Sequence, residues 1–256
     1  MNFTNPTQGQ SLTPYIQGTA NITSNVPGWS GKTLSFPGTA GNYINLGNTH
    51  PAHINSTANN IFIECWVNAS SFGALGLGFI FAVTGGSISS EEYALWMSAN
   101  YGINWHVRNT SDVSAQVQGG TITTNQWYHI AGTWNYSTQA VYAFVNGSNI
   151  NTSTLTGTPR YNAASTVQVG AANQTVSGDY YPFSGYIRDL RVIKGGTVPT
   201  TSFTPDNGPW RYNTVPSYVT GGTNVFGLYG QYLGNITKQL YPSAPIYVGP
   251  IGTTPS

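Results

Sequence analysis

The sequence predicts an all-β fold: a two-sheet antiparallel β-sandwich of the jelly-roll type, with extended N- and C-terminal arms. Three observations point there. No long stretch carries the 3.6-residue apolar period of an amphipathic helix. Short runs rich in β-branched and aromatic residues recur along the middle of the chain. Gly, Pro, Asn and Thr separate these runs too often for long helices to form.

Residues 1–30 are polar and read as an N-terminal extension. The strand block runs over 31–206. Its runs are KTLSF, NYINLG, IFIECWVNA, LGFIFAVTG, EYALWMSA, GINWHVRN, VSAQVQGG, WYHIAGTWN, AVYAFVNGS, TVQVGAA and YIRDLRVI, in that order. NYSTQ (135–139) is the turn of a hairpin and NGS (146–148) a second tight turn. About eleven to fourteen strands in one continuous block call for two packed sheets. Residues 207–256 are rich in Pro, Gly and Tyr without strong alternation. They read either as an arm lying on another surface or as a partly ordered terminus.

Only 6% of the 256 residues are charged, and the formal net charge is +1. The polar surface is built from Asn, Thr, Ser, Gln, Gly and Tyr instead. Hydrophobic residues at 39% and aromatics at 13% suffice for a core, so composition does not indicate disorder. So small a net charge gives no long-range steering toward nucleic acid or anionic lipid. Cys65 is the single cysteine, which excludes an intrachain disulfide and mildly favours a reducing compartment. The opening MNFTNPTQGQ lacks the basic and apolar regions of a signal peptide. The longest apolar stretch, FGALGLGFIFAV (72–83), is Gly-broken and too short to span a bilayer.

Four pieces in order, LSFPGTAGNYINLG (34–47), IFIECWV (61–67), WYHIAGTWNYSTQAVYAFVNG (127–147) and FSGYIRDLRVIKG (183–195), carry a resemblance. They resemble the concanavalin A-like lectin/glucanase superfamily, in particular its laminin-G-like jelly-roll modules, over about residues 32–206. The ending RVIKGGTVPTTSFTPDNGPW is similar to the sequence RVTKGVARYTxxFTPPxxPF that closes such modules in bacteriophage and other viral structural proteins.

Glycoside hydrolysis on this fold needs two carboxylates about 5–5.5 Å apart, commonly from one strand. The acids are Glu64, Glu91, Glu92, Asp112, Asp179, Asp189 and Asp206, and none are spaced i, i+2. Adjacent Glu91 and Glu92 on a strand face opposite sides. The resemblance makes Glu64 and His129 structural. The remaining histidines, His50, His53 and His106, lack the partners of a nucleophile or a zinc site. No catalytic residue and no required cofactor are expected. Ca²⁺, which many modules of the superfamily bind, has Asp112 and Asp179 as its weak candidate ligands.

Sugar binding uses flat aromatic faces with nearby hydrogen-bonding groups. Tyr101, Asn104 and Trp105, and the pair Tyr180–Tyr181, have that chemistry. Trp105 reads equally as a core residue, because each strand position has one inward and one outward face. Sequons occur at Asn2, Asn21, Asn55, Asn68, Asn109, Asn135, Asn146, Asn151, Asn173 and Asn235. They matter only where the chain meets a glycosylating enzyme.

RDLRVIK (188–194) concentrates three of the eight cations. As a regular strand it places Arg188, Leu190 and Val192 on one face and Asp189, Arg191 and Ile193 on the other. Asp189 and Arg191 then hold the neighbouring strand or the FTPDNGPW turn, a structural closing strand rather than an anion site.

The leading expectation is a non-enzymatic structural protein of a virus particle: a capsid decoration, minor capsid or fibre/tail component on the particle surface. Its partners are other virion or capsid proteins, or copies of itself, engaged through the C-terminal arm, with glycans as a further ligand. Neither nucleic acid nor membrane insertion is expected. The alternative is a carbohydrate-binding lectin or adhesin module at a cell surface.

Overall fold

In the computed structural model, residues 15–16, 18–24, 26–54, 59–72, 76–85, 90–172, 181–207 and 215–228 are described. The strands are β1 (Tyr15–Ile16), β2 (Asn21–Thr23), β3 (Thr33–Pro37), β4 (Ile44–Asn45), β5 (Ile61–Ser71), β6 (Leu77–Thr84), β7 (Glu91–Ser98) and β8 (Gly102–Arg108). They continue as β9 (Ser114–Gly119), β10 (Trp127–Asn135), β11 (Ala140–Val145), β12 (Ser148–Thr154), β13 (Thr166–Val169), β14 (Ser184–Lys194) and β15 (Thr223–Leu228). All their pairings are antiparallel. One sheet has the order β1-β4-β13-β6-β7-β8-β9; the other runs β12-β11-β10-β5-β14-β3-β2, with β15 also paired to β14. The all-β two-sheet sandwich is therefore the fold. No helix of the described residues is long and apolar enough to cross a membrane.

Strand alternation decides what lies between the sheets. Ile61, Ile63, Cys65, Val67 and Ala69 of β5 meet Tyr93, Leu95 and Met97 of β7 and Ile103, Trp105 and Val107 of β8 in one core cluster. The Trp105 ring lies against the backbone of β10, where a Cβ on Gly132 would come within 2.4 Å of it. Burial pushes the Cys65 thiol well above its ordinary range, so the free cysteine is an inert core residue. At the β11–β12 hairpin, Asn146 and Gly147 take φ values of 50° and 76°, as a two-residue turn that follows strand twist requires.

The expected alternation along β14 is corrected by a bulge. Arg188 pairs with Trp66 and Arg191 with Glu64, so two residues of β14, Asp189 and Leu190, stand against one of β5. Asp189 absorbs the extra residue with φ 51°. The bulge shifts the phase: Ile187, Leu190 and Val192 face the core, while Arg188, Arg191 and Ile193 share the outer face.

That outer face is itself covered. Phe62, Phe144 and Ile193 pack beneath Val198, Phe203, Val215, Tyr218 and Val219, and Phe203 stacks on Tyr218 at 4.2 Å. Residues 215–228, expected as part of an arm on another surface, instead lie on this chain's own sheet, and β15 extends it. On the other flank β2 pairs with β3. The sandwich thus reaches past the expected limits of 31 and 206 on both sides.

Candidate functional site

The outer face of the β1–β9 sheet carries a different surface. Phe79 of β6, Trp96 of β7, Asn104 of β8 and Gln118 of β9 stand opposite one another in register, forming one row across four strands. Trp96 stacks on Phe79 at 5.6 Å and 16°, and Tyr181 leans against Phe79 at 5.8 Å. Ala82, Ala94 and Ala172 form the small-residue floor beside them. Phe79 is buried, whereas Trp96 and Tyr181 remain partly exposed. Trp96 Nε1 has no hydrogen-bond partner among the described residues.

The polar half of the row is held by amides. Asn104 Nδ2 donates to the Gly102 carbonyl at 3.3 Å, and Gln116 Nε2 donates to Asn104 Oδ1 at 3.2 Å and to Gln118 Oε1 at 3.3 Å. Gln116 and Gln118 are exposed. His106 sits beside them on β8, opposite Gln116. Burial, then the Arg108 charge, lower its pKa to about 3, so the ring is neutral.

Gln118 also lines a cleft of about 380 Å³ at the end of β8 and β9, between Asn100–Gly102 and Gly119–Ile122. Tyr101, 54% exposed, stands in its wall. The close approach of the two walls depends on Gly102, at φ 67°, where a Cβ would lie 1.7 Å from the Gly120 carbonyl oxygen.

Of the residues expected to bind sugar, the structure leaves Tyr101 and Tyr181 at this surface, buries Asn104 behind the Gln116 amide and removes Trp105 from it. Trp105 is fully buried and its Nε1 donates to the Thr133 carbonyl at 2.9 Å. Its neighbour in sequence, Asn104, points the opposite way, as strand geometry demands. Tyr180, Asp179 and the sequons at Asn2, Asn55, Asn173 and Asn235 lie outside the described residues. The aromatic that sequence reasoning missed is Trp96. Its signal was the alternation of Tyr93, Leu95 and Met97 in EYALWMS, which turns Trp96 outward once those three face the core.

As a Ca²⁺ candidate Asp112 is corrected. Its carboxylate holds the Arg160 guanidinium, and its carbonyl accepts from Arg108 Nη1 at 2.9 Å, so two cations already occupy its surroundings. Among the described residues no three His, Cys, Asp or Glu side chains converge as a metal site. Two sequons are also corrected: Asn68 and Asn109 are buried, and Asn109 Nδ2 donates to the Thr156 carbonyl at 2.6 Å. Asn21, Asn146 and Asn151 are exposed and Asn135 partly so.

The remaining acids serve structure. Glu64 is fully buried on the outer face of β5. It accepts from Arg191, from His129 Nε2 at 2.8 Å and from the Tyr218 hydroxyl at 2.7 Å. Asp206 of the FTPDNGPW turn lies 3.9 Å from Arg191. Arg191 therefore does hold both the neighbouring strand and the following turn. Asp189 accepts from its own strand neighbour Arg188 at 2.8 Å. Glu92 binds His53 at 2.7 Å and the backbone nitrogens of Ile54 and Asn162 at 2.7 and 3.0 Å. Lys194, lowered to about 8 chiefly by burial, donates to the Pro51 and His53 carbonyls.

A family model described as Laminin_G_3, of the Concanavalin A-like lectin/glucanases superfamily, matches residues 37–196. No curated protein matches. Among solved structures, the botulinum neurotoxin serotype G binding domain superposes with a TM-score of 0.51 at 14% identity, covering 76% of this chain and 44% of that one. The receptor-binding domain of the botulinum neurotoxin C/D mosaic serotype gives 0.50 at 16%, covering 71% and 43%. Domain 4 of AbnA, a GH43 extracellular arabinanase from Geobacillus stearothermophilus, in complex with arabinotriose, gives 0.49 at 18%, covering 73% and 83%. This chain spans less than half of the toxin domains, and at such identities the likeness concerns the fold alone. The family match takes in strands of both sheets, from the end of β3 to the end of β14, and the chain belongs to the laminin-G-like family of the concanavalin A-like lectin/glucanases superfamily.

Proposed function

We propose that the chain is a non-enzymatic binding module that takes glycans on the outer face of the β1–β9 sheet. The observation that carries this reading is the row Phe79–Trp96–Asn104–Gln118 with its neighbour Gln116, which sets the partly exposed Trp96 ring beside the exposed Gln116 and Gln118 amides, above buried Phe79 and Asn104. An aromatic face covers the apolar C–H side of a sugar ring, and amides match its hydroxyls in both donor and acceptor roles. Acid–base hydrolysis has no support from the buried acids, because Glu64 and Glu92 are committed to fixed partners. A glycan array probed with the wild-type protein and with Trp96→Ala tests the reading. Binding that is lost in the variant supports it; an array without hits, or hits unaffected by Trp96→Ala, overturns it.

The setting we propose is the surface of a virus particle, with the module displayed as a decoration or fibre component and joined to neighbouring particle proteins or to copies of itself. Its support is the ending RVIKGGTVPTTSFTPDNGPW and the low charge. Lectin display on a cell surface is the alternative. Mass spectrometry of purified particles and of the cell envelope from the native source separates the two: recovery in the envelope alone rejects the particle setting.

A further inference from the structure

The row and the Tyr101 cleft are one continuous surface, because Gln118 belongs to both. Asn104 is three residues beyond Tyr101, which lies in the turn before β8, and one strand from Trp96. Strand geometry makes the span from Trp96 to Tyr101 about 11 Å, from roughly 3.3 Å per residue and 4.8 Å between strands. That is longer than one pyranose ring. Two aromatic positions so separated suit successive units of one chain, and the exposed Gln116 and Gln118 amides stand on β9 beside them.

The charge pattern restricts the ligand further. Trp96, Asn104, Gln116, Gln118 and the residues lining the cleft include no ionisable acid or base other than the Tyr101 phenol. The nearest charged side chains along β7 and β8, Glu91, Glu92 and Arg108, all stand at the strand ends away from the Tyr101 turn, because Tyr93 pairs with Val107. Glu92 is engaged with His53, and Arg108 pairs with Glu91 at 3.5 Å and with the Asp112 carbonyl. A sialylated or sulfated chain placed here would lose hydration around its anion without gaining a charged partner, which is unfavourable.

We infer that the ligand of this surface is an uncharged oligosaccharide of three or more units. It lies across β7, β8 and β9 from the Trp96–Tyr181 platform, past Gln116 and Gln118, and its end enters the Tyr101 cleft. The inference rests on the glycan-binding reading and adds to it a length, a charge class and a second aromatic subsite. Trp96 supplies one ring face, Gln116 and Gln118 the hydroxyl contacts, and Tyr101 the wall of the end subsite. Gly119 and Gly120 complete the lining of that subsite.

The test uses the full chain on an array that carries neutral, sialylated and sulfated glycans. The best neutral hit is then titrated as a length series from one to five units, with wild type, Tyr101→Ala and Trp96→Ala. The expected result is a set of neutral hits only, affinity rising steeply up to three units, and a loss of about tenfold for the trisaccharide in Tyr101→Ala with little change for the monosaccharide. Trp96→Ala lowers affinity at every length. Hits confined to acidic glycans, a flat length series, or a trisaccharide affinity unchanged in Tyr101→Ala overturn the inference while leaving glycan binding intact. An array without hits overturns the glycan reading itself. Tyr101 lies in an exposed turn, so its replacement leaves the thermal transition in place, and circular dichroism on each variant verifies this.

Discussion

The guanidinium carbon of Arg188 lies 3.6 Å from the ring centroid of Trp29, and the rings of Trp66 and Trp127 approach the same group at 4.5 and 5.3 Å. A cation from the central strand β14 is thus held among indoles from the N-terminal flank, β5 and β10. Trp29 ties residues 26–31 to the sheet through this contact, and Pro27 accepts from Trp127 Nε1 at 2.9 Å. With Arg188 only 6% exposed, the cation–π term acts in a desolvated setting. Trp29→Ala is expected to cost about 2 kcal/mol, with the N-terminal flank exchanging its amide hydrogens faster. Urea denaturation and hydrogen exchange check it; wild-type protection over 21–36 would contradict the tie.

A second prediction concerns the buried acid beneath the C-terminal segment. Glu64 meets Arg191, His129 and Tyr218 in a site closed by Phe203 and Tyr218. Burial, then the Glu64 charge, pushes the Tyr218 hydroxyl well above its ordinary range, so it stays a donor at any physiological pH. Glu64→Gln removes the charge facing buried Arg191 and is expected to cost about 3–5 kcal/mol. Tyr218→Phe removes one bond to a charged group, about 2 kcal/mol. If both substitutions lower the urea midpoint by the same small amount, Glu64 does not hold the C-terminal segment on the sheet.

The two tryptophans on neighbouring strands separate stability from binding. Trp105→Ala leaves a large cavity against Gly132 and is expected to cost about 3–5 kcal/mol. Trp96→Ala removes a partly exposed ring from the outer face, and its expected stability cost is smaller, about 1–2 kcal/mol. Thermal unfolding of both variants beside their glycan-array profiles distinguishes them. A Trp105→Ala protein as stable as wild type would overturn the core assignment.

The fold was legible because the strongest runs obey one rule. IFIECWVNA, EYALWMSA, GINWHVRN and WYHIAGTWN alternate cleanly, and each is a strand within two residues of its expected limits. β12, with the sequence SNINTST, was missed because an exposed edge strand has no apolar side to show. TNVFGL was missed because its pairing with β14 comes from tertiary contacts rather than from its own pattern. The faces of RDLRVIK were misread for a single reason: a bulge at a non-glycine residue leaves no mark in the sequence, and one inserted position inverts every later side chain. The site was half legible. Tyr101 and Tyr181 stand at the surface as read, but only the register of β6, β7 and β8 reveals that Trp96 rather than Trp105 joins them, and packing buries Asn104.

Glu91 gives a pH-dependent prediction. Its carboxylate is buried, and burial, outweighing its own backbone hydrogen bond and the Arg108 and Arg160 charges, raises its pKa from 4.5 to about 7. Below pH 4.5 the group is protonated in both folded and unfolded chains. Between 4.5 and about 7 the unfolded chain releases the proton while the folded chain keeps it, so stability falls as pH rises through that window. Glu91→Gln removes this dependence. It is expected to gain up to about 3 kcal/mol relative to wild type between pH 4 and pH 8. Urea unfolding of both proteins at the two pH values measures it; an equal difference at both would mean that the folded carboxyl is not raised.

The sequons divide by burial. Asn68 and Asn109 are 4% and 5% exposed, on β5 and in the turn after β8, and the Asn109 amide is fixed to the Thr156, Ser111 and Val113 backbone. A glycan on either nitrogen has no space in the folded sandwich, and a chain carrying one would lose the hydrogen bonds that close the turn. Asn21 on β2 and Asn151 on β12 are exposed on strands at the two edges of one sheet. Expression of the chain with a secretion signal in a glycosylating host is therefore expected to yield folded protein modified at Asn21 and Asn151 and unmodified at Asn68 and Asn109. Peptide mapping after glycosidase treatment in heavy-oxygen water reads each site. A modified Asn109 in protein that keeps the wild-type unfolding transition would show that the turn at 109–113 opens without cost to the sandwich.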